Sequence, residues 1–342
     1  MNKFTKTPKS LFILTLLIVF ISPSITMGTE IQFASKNKDS VYDLYKSARK
    51  QFLKFTPQGF NQSIASYQEI LDSDPGFAPA YSGLSEVYSF LGNYKFLIRE
   101  DYEDYYIKSY KNLKKALKLS PASLETQRAL ATHYLHLRWL TRAKKKADSI
   151  ISQHPSSPEA YYVYWSSTGK NPDSPYIKKS LELNPNYIPA HIELGTSYFY
   201  KKRDYKKAAE HYTKSLEIAD SPQLRDFLGT TLRTQGRFTN AIEQYEQAIQ
   251  MDKNFALAYM NIGITKYYMR KYDEAISYLD KAVAININHP ESFFFLGSSH
   301  EHANNKNKAL ENYKKFLRLS LNDHRYREYV QQAKNSYNKL SN

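Results

Sequence analysis

Gly195, Gly229, Gly263 and Gly297 recur at 34-residue intervals, each directly after a leucine or isoleucine. Ala241, Ala275 and Ala309 repeat at the same interval, as do Tyr245, Leu279 and Tyr313. A fixed period with small and large apolar residues in constant phase is the signature of stacked helix pairs, in which each unit packs only on its neighbours. This expectation covers nearly all of the chain after its first forty residues. It leaves no stretch for a separate catalytic domain, so enzyme activity is not expected and no catalytic residue is assigned.

The N-terminus has a different character. Lys3, Lys6 and Lys9 precede an apolar run from Leu11 to Ile21, closed by Ser22-Pro23-Ser24. A basic region, a short apolar run and small residues before Gly28 read as a secretory signal over 1–28. The run is shorter than the ~20 residues that span a bilayer. Export to the periplasm or beyond is expected, with an uncleaved N-terminal anchor as the alternative. The polar stretch 29–39 lacks periodicity and reads as a flexible linker. The chain has no cysteine, which excludes thiolate metal sites, thiol catalysis, disulfides and a lipidated cysteine.

Helical periodicity starts at Ser40, with Val41, Leu44, Tyr45, Ala48 and Phe52 on one face. Further on, Ser63-Ile64, Tyr67, Ile70-Leu71 and Asp74-Pro75 form a second helix with a closing proline. Ala80-Tyr81, Leu84 and Tyr88 open the next unit. On these residues the chain resembles the tetratricopeptide repeat family, in the form carried by exported bacterial proteins. The resemblance covers roughly residues 40–323. It implies an all-α fold, a right-handed superhelical solenoid of antiparallel helix pairs. About eight units would begin near Leu44, Ala78, Leu124, Pro158, Ile188, Pro222, Ala256 and Pro290. The Ala78 unit is long, through an insertion around Lys95 to Lys108 that is rich in acids and tyrosines. The Pro158 unit is short. A polar helix within 324–342 caps the last apolar face. Ser85, Ala131 and Trp165 take the glycine's place in the earlier units.

In such an array the first helix of each unit lines the concave wall. Residues three before the glycine, one after and four after form a stripe beside the core face. From Tyr162 in the short unit, that stripe runs through Ile192, Thr196 and Phe199. It continues through Asp226, Thr230 and Arg233, then Met260, Ile264 and Tyr267, and ends at Phe294, Ser298 and Glu301. The candidate binding groove is Tyr162, Ile192, Thr196, Phe199, Arg233, Met260, Ile264, Tyr267 and Phe294. An apolar wall of this kind suits a helix or extended segment docking through apolar anchors. The alternative is that the C-terminal helix or a second copy covers it. Members of the family that grip acidic peptide tails use Lys and Asn at adjacent groove positions. Only Asn261 matches here, so that clamp is not expected.

The remaining signals are weaker. The formal charge is +15, with lysines in clusters interrupted by acids, which read as solvated outer faces. His300-Glu301-His302 lacks a metal-binding spacing, because residues two apart diverge on a helix; no metal or cofactor is expected. No phosphate loop or nucleophile elbow occurs. The functional expectation is a non-enzymatic scaffold in the cell envelope that holds a protein or peptide partner. The alternatives are a basic module for an anionic envelope polymer and an auxiliary subunit of a separately encoded enzyme. Nucleic acid is not expected as a partner, membrane contact is expected only if the N-terminal segment is uncleaved, and the oligomeric state is left open.

Overall fold

The signal and linker expectations for 1–39 lie outside the described residues. The computed structural model describes residues 40–97, 101–286, 289–321 and 323–341. Residues 40–44 are the first turn of helix α1 (40–52). From Tyr45 onward the chain forms one unit, and its described residues are helices and turns with no strand.

Helix α1 pairs with α2 (Pro57–Ser73). The next pairs are α3 (Ala78–Leu97) with α4 (Glu103–Leu119), α5 (Leu124–His136) with α6 (Leu140–Gln153), and α7 (Pro158–Ser167) with α8 (Pro175–Leu183). They continue with α9 (Ile188–Ser197) and α10 (Tyr205–Ile218), α11 (Pro222–Thr234) and α12 (Phe238–Met251), then α13 (Ala256–Tyr268) and α14 (Tyr272–Ile285). Helices α15 (Pro290–His302) and α16 (Lys306–Ser320) complete the repeats, and a 3₁₀ turn at His324–Tyr326 leads into α17 (Arg327–Ser341). We call the first helix of each pair A and the second B. Each A helix packs on its own B helix, and most touch the A helix of the next unit. The array is therefore the expected all-α solenoid.

The sequence makes these helices for local reasons. Pro158, Pro175, Pro222 and Pro290 stand at helix starts, where the missing N–H costs no hydrogen bond. Ser123 and Ser221 cap α5 and α11 by accepting from the backbone N–H of Thr126 and Leu224. Each regular B helix buries one edge at i, i+4, i+7: Ala241, Tyr245, Ala248; Ala275, Leu279, Ala282; Ala309, Tyr313, Phe316. The glycine ladder receives these side chains. A Cβ at Gly229 would stand 2.6 Å from the Tyr245 ring, one at Gly263 2.6 Å from Leu279, and one at Gly297 2.7 Å from Tyr313. Lys266, an exception on the core face of α13, turns to an ion pair with Glu274 at 2.6 Å. Tyr267 packs on Phe295 instead.

The irregular units follow from their sequences. The insertion lengthens α3 to 20 residues and packs back on its own pair, with Tyr106 against Gly92 and Tyr102 against Phe96. In the short unit α8 has only 9 residues, and fully buried Trp165 fills the space, its indole N–H donating to the Asn171 carbonyl at 2.6 Å.

Among the described residues, seven A–B connections are tight turns that force a residue into left-handed backbone. Phe55, Arg138, Lys170, Arg203, Arg270 and Asn304 have φ between 51° and 61°, all of them in A–B turns. A residue with a Cβ pays about 1–2 kcal/mol there. The α11–α12 turn uses a glycine there, Gly236 with φ 77°, and the α7–α8 turn sets Gly169, φ 92°, beside Lys170.

Candidate interaction site

The inner wall of the stack holds a chamber of about 370 Å³. Its lining comes from both ends of the array: Phe60 and Phe90 from the first two units, Ile192 from α9, Phe227 from α11, and Phe255 and Leu257 at α13. These segments meet because the stack curves back on itself. The Gln223 side-chain amide on α11 donates to the Tyr94 hydroxyl on α3 at 2.8 Å, across 129 residues of chain. Most of the wall is apolar or aromatic, with Lys95, Glu193, Asp252, His136 and His289 as charged or titratable exceptions. The volume lies within the ~300–1,000 Å³ typical of ligand pockets.

Beside the chamber runs a buried charge ladder through four successive A helices. Arg49 (α1) contacts Glu86 (α3) at 2.8 Å and Glu159 (α7) at 2.6 Å; Arg128 (α5) contacts Glu86 through Nε at 2.8 Å. Burial opposes the charge on Arg49, Arg128 and Glu159. The opposed arginines and carboxylates outweigh it, raising Arg49 and Arg128 well above the usual arginine value. Against the same burial, Arg128 and Arg49 hold the Glu159 carboxyl down at about 2.

Three histidines near this wall are neutral. Burial pushes His136 down to about 3, with Arg138 and His133 adding repulsion, and its Nδ1 lies 2.8 Å from the Ser89 hydroxyl. Burial lowers His133 to about 4, and burial with His191 nearby lowers His211 to about 4. The unfolded chain binds protons at these sites from pH 6.5 downward, whereas the folded chain does not until far lower. Their stabilising contribution is complete above pH 6.5 and declines as pH falls towards 4. Asp226 works in the opposite direction, since burial raises it to about 6 against its Asn261 hydrogen bond and Arg233. Three histidines against one aspartate give a net loss, before Glu159 begins to titrate. The thermal midpoint is expected to fall steadily from pH 7 to pH 4.5. His136 alone accounts for about 1.4 kcal/mol per pH unit below 6.5. The acid-induced drop in a His136→Gln variant, followed by circular dichroism, checks this; an unchanged drop overturns it.

Among the described residues no group of three His, Asp or Glu is placed to hold a metal. His300 is buried, whereas His302 is exposed and stacks on Tyr272 with ring centroids 4.5 Å apart.

The repeated geometry has counterparts among known proteins. The TPR repeat family profile matches residues 229–269, and a second tetratricopeptide repeat profile matches 255–290. The array superposes on the structure of the APC/C hetero-tetramer Cut9-Hcn1 with a TM-score of 0.63 at 18% identity, covering 85% of this chain and 55% of that one. The chain carries tetratricopeptide repeats. Such repeats build protein–protein interaction scaffolds. Among curated relatives, the peroxisomal targeting signal receptor of Saccharomyces cerevisiae is 25% identical over 49% of this chain and 29% of its own length. The type IV pilus assembly protein PilF of Pseudomonas aeruginosa is 29% identical over 33% of this chain and 46% of its own. The chain thus spans less than two thirds of these relatives.

Within the tetratricopeptide array the nine groove candidates fall into three groups. Tyr162 and Ile192 line the chamber. Thr196, Phe199 and Arg233 lie further along the A helices. Thr196 is 3.1 Å from the Tyr212 hydroxyl, Phe199 packs on Tyr200 and Tyr205 in a π-helical turn at Tyr198–Lys202, and Arg233 reaches Asn261 at 3.5 Å. Asn261 itself is buried, and its amide donates to Asp226 at 2.7 Å.

Met260, Ile264, Tyr267 and Phe294 form the third group, in one cluster with Tyr326, Val330 and Ala333 of the C-terminal segment. Met260, Ile264 and Phe294 are only 7%, 4% and 6% exposed, and Tyr329 of α17 stands 4.6 Å from the Phe294 ring. The capping helix buries this end of the stripe because its own apolar edge needs a partner. The chamber aromatics contributed by the first two units, Phe60 and Phe90, and the charge ladder did not emerge from the repeat phase. The signal available for the ladder was charge at interior helix positions, as in Ser85-Glu86-Val87.

Proposed function

We propose that this protein is a non-enzymatic scaffold that holds a partner polypeptide by apolar anchors in the chamber on its concave wall. The observation that carries this reading is the chamber: an aromatic-lined concavity beside a rigid charge ladder, in a family whose arrays bind proteins. An extended or helical segment places large side chains at regular intervals, and a pocket of this size takes one or two of them. Tyr162 and Ile192 are the groove candidates that belong to this site. Thr196, Phe199 and Arg233 would extend it along the wall. Met260, Ile264, Tyr267 and Phe294 would contribute where α17 lifts away.

We place the protein in the cell envelope. The basic and apolar N-terminal run and the likeness to a type IV pilus assembly protein support that setting. No helix among the described residues is long and apolar enough to cross a membrane.

Selection from a displayed random-peptide library tests the site. The wild-type chain is expected to enrich peptides with paired aromatic or aliphatic anchors. An Ile192→Asp variant of unchanged helicity is expected to enrich none of them, since a carboxylate in the apolar wall lacks a partner. Equal enrichment by both chains overturns the chamber as the binding site.

A further inference from the structure

The A–B turns of successive units lie along one edge of the stack and the B–A turns along the other. The two edges differ in charge. The B–A turns carry Asp74, Asp220, Asp252 and Asp323, and the arginines nearest to them, Arg225 and Arg325, are paired with Asp220 and Asp323. The A–B turns carry Arg138, Arg203, Arg237 and Arg270, with Arg142 in the first turn of α6, all exposed; of the acids on the same edge, Asp101, Asp173 and Asp204, the last two pair with Lys202 and Lys207. Among the described residues none of the five arginines is within 4.0 Å of a carboxylate. Arg138, Arg203 and Arg270 also occupy left-handed backbone, with φ of 61°, 51° and 61°. Glycine would fit that conformation without strain. The guanidinium groups are held at those tips despite a folding cost.

Large apolar side chains stand among them. Trp139 is 47% exposed, and Phe96, Leu140 and Tyr268 are also exposed on or beside A–B turns. The exposed apolar residues at the ends of the B helices are aliphatic: Met251, Ile285 and Leu319. Aromatic rings interleaved with arginine suit the boundary between headgroups and acyl chains, where the ring takes the apolar side and the cation meets phosphate. A soluble polyanion rewards the charge alone. Base stacking by a single-stranded nucleic acid needs an open ring face, but Arg142 lies 4.8 Å over Trp139 and Tyr134 stands 5.6 Å away.

We propose that the A–B turn edge docks the array on an anionic membrane surface, with arginines on lipid phosphates and Trp139 and Leu140 dipping into the interface. The concave chamber plays no part in this contact, so the two sites are independent.

The test uses the full chain and sedimentation with vesicles of phosphatidylcholine, alone or with about one third phosphatidylglycerol. Wild-type protein is expected to bind the anionic vesicles preferentially and to release at high salt. Trp165 is buried, so a blue shift of tryptophan emission on binding reports Trp139. The combined variant Arg138→Gly, Arg203→Gly, Arg270→Gly is expected to bind about tenfold to a hundredfold more weakly. Its thermal midpoint should be equal or higher, because glycine relieves the strained turns; this separates lost docking from lost folding. The N-terminal apolar run is common to both chains and does not affect the difference. Equal binding by the two chains overturns the proposal. So does binding of inorganic polyphosphate with no emission shift on vesicles, which would make the edge a polymer site.

Discussion

Replacing Arg128 with methionine is expected to destabilise the protein by about 3–5 kcal/mol, measured as a shift in the urea midpoint. The cost does not come from the lost ion pair alone. Glu86 loses the partner that reaches its Oε1 at 2.8 Å, and Arg49 is left to serve both Glu86 and Glu159. Two carboxylates then share one buried cation, and one of them must take up a proton or draw water into the wall. The Arg128→Met, Glu86→Met double variant distinguishes this account from simple packing loss. Removing both partners of a buried pair leaves less uncompensated charge, so the double variant is expected to be more stable than Arg128→Met alone. A double variant that loses the sum of the two single effects would overturn the charge argument. The same substitution should loosen the N-terminal units first, because the ladder joins α1, α3, α5 and α7.

The second large effect is at Trp165. Every regular unit has glycine at this point of its A helix, so Trp165→Gly brings the sequence closer to the repeat consensus. It is nevertheless expected to cost about 3–5 kcal/mol by thermal or chemical unfolding, the range for emptying a buried tryptophan site. The physical reason lies in the partner helix. In the regular units a tyrosine or leucine of the B helix presses on the glycine, with Tyr245 as the example at Gly229. Helix α8 has 9 residues where α12 has 14, and presents Ile177 and Ser180 instead. Trp165 supplies the bulk that the opposite helix lacks. Its indole N–H also ties down the Asn171 carbonyl in the compressed turn. Trp165→Phe keeps most of the volume and is expected to lose far less; equal losses for the glycine and phenylalanine variants would point to the hydrogen bond rather than the space.

These cases show where the sequence was legible. The phase of Gly229, Gly263 and Gly297 located the helix pairs and the side chains that meet them, because packing between neighbours repeats with the chain. Helix boundaries followed from Pro158, Pro222 and Pro290. The charge ladder was not legible in the same way. Glu86, one after Ser85, and Arg128, three before Ala131, fall on the stripe, but Arg49 and Glu159 lie off it, so a fixed-phase reading does not join the four. The chamber was half legible. Tyr162 and Ile192 lie on the stripe, but Phe60, Phe90 and Tyr94 arrive from units far away in sequence. Only the curvature of the stack brings them opposite Phe227. The stripe's far end read as open because nothing in its own phase reveals the helix that folds over it.

The bond between Tyr94 and Gln223 has a bearing on how the molecule comes apart. A stack in which each unit touches only its neighbours can fray from either end, one repeat at a time. Here the second unit also touches the sixth, so the intervening repeats sit inside a closed loop of contacts. Opening any one of them strains that loop, and its neighbours lose the support of both ends together. The loop turns a row of separable modules into a cooperative block from α3 to α11, leaving the last units as the part free to open and close on their own.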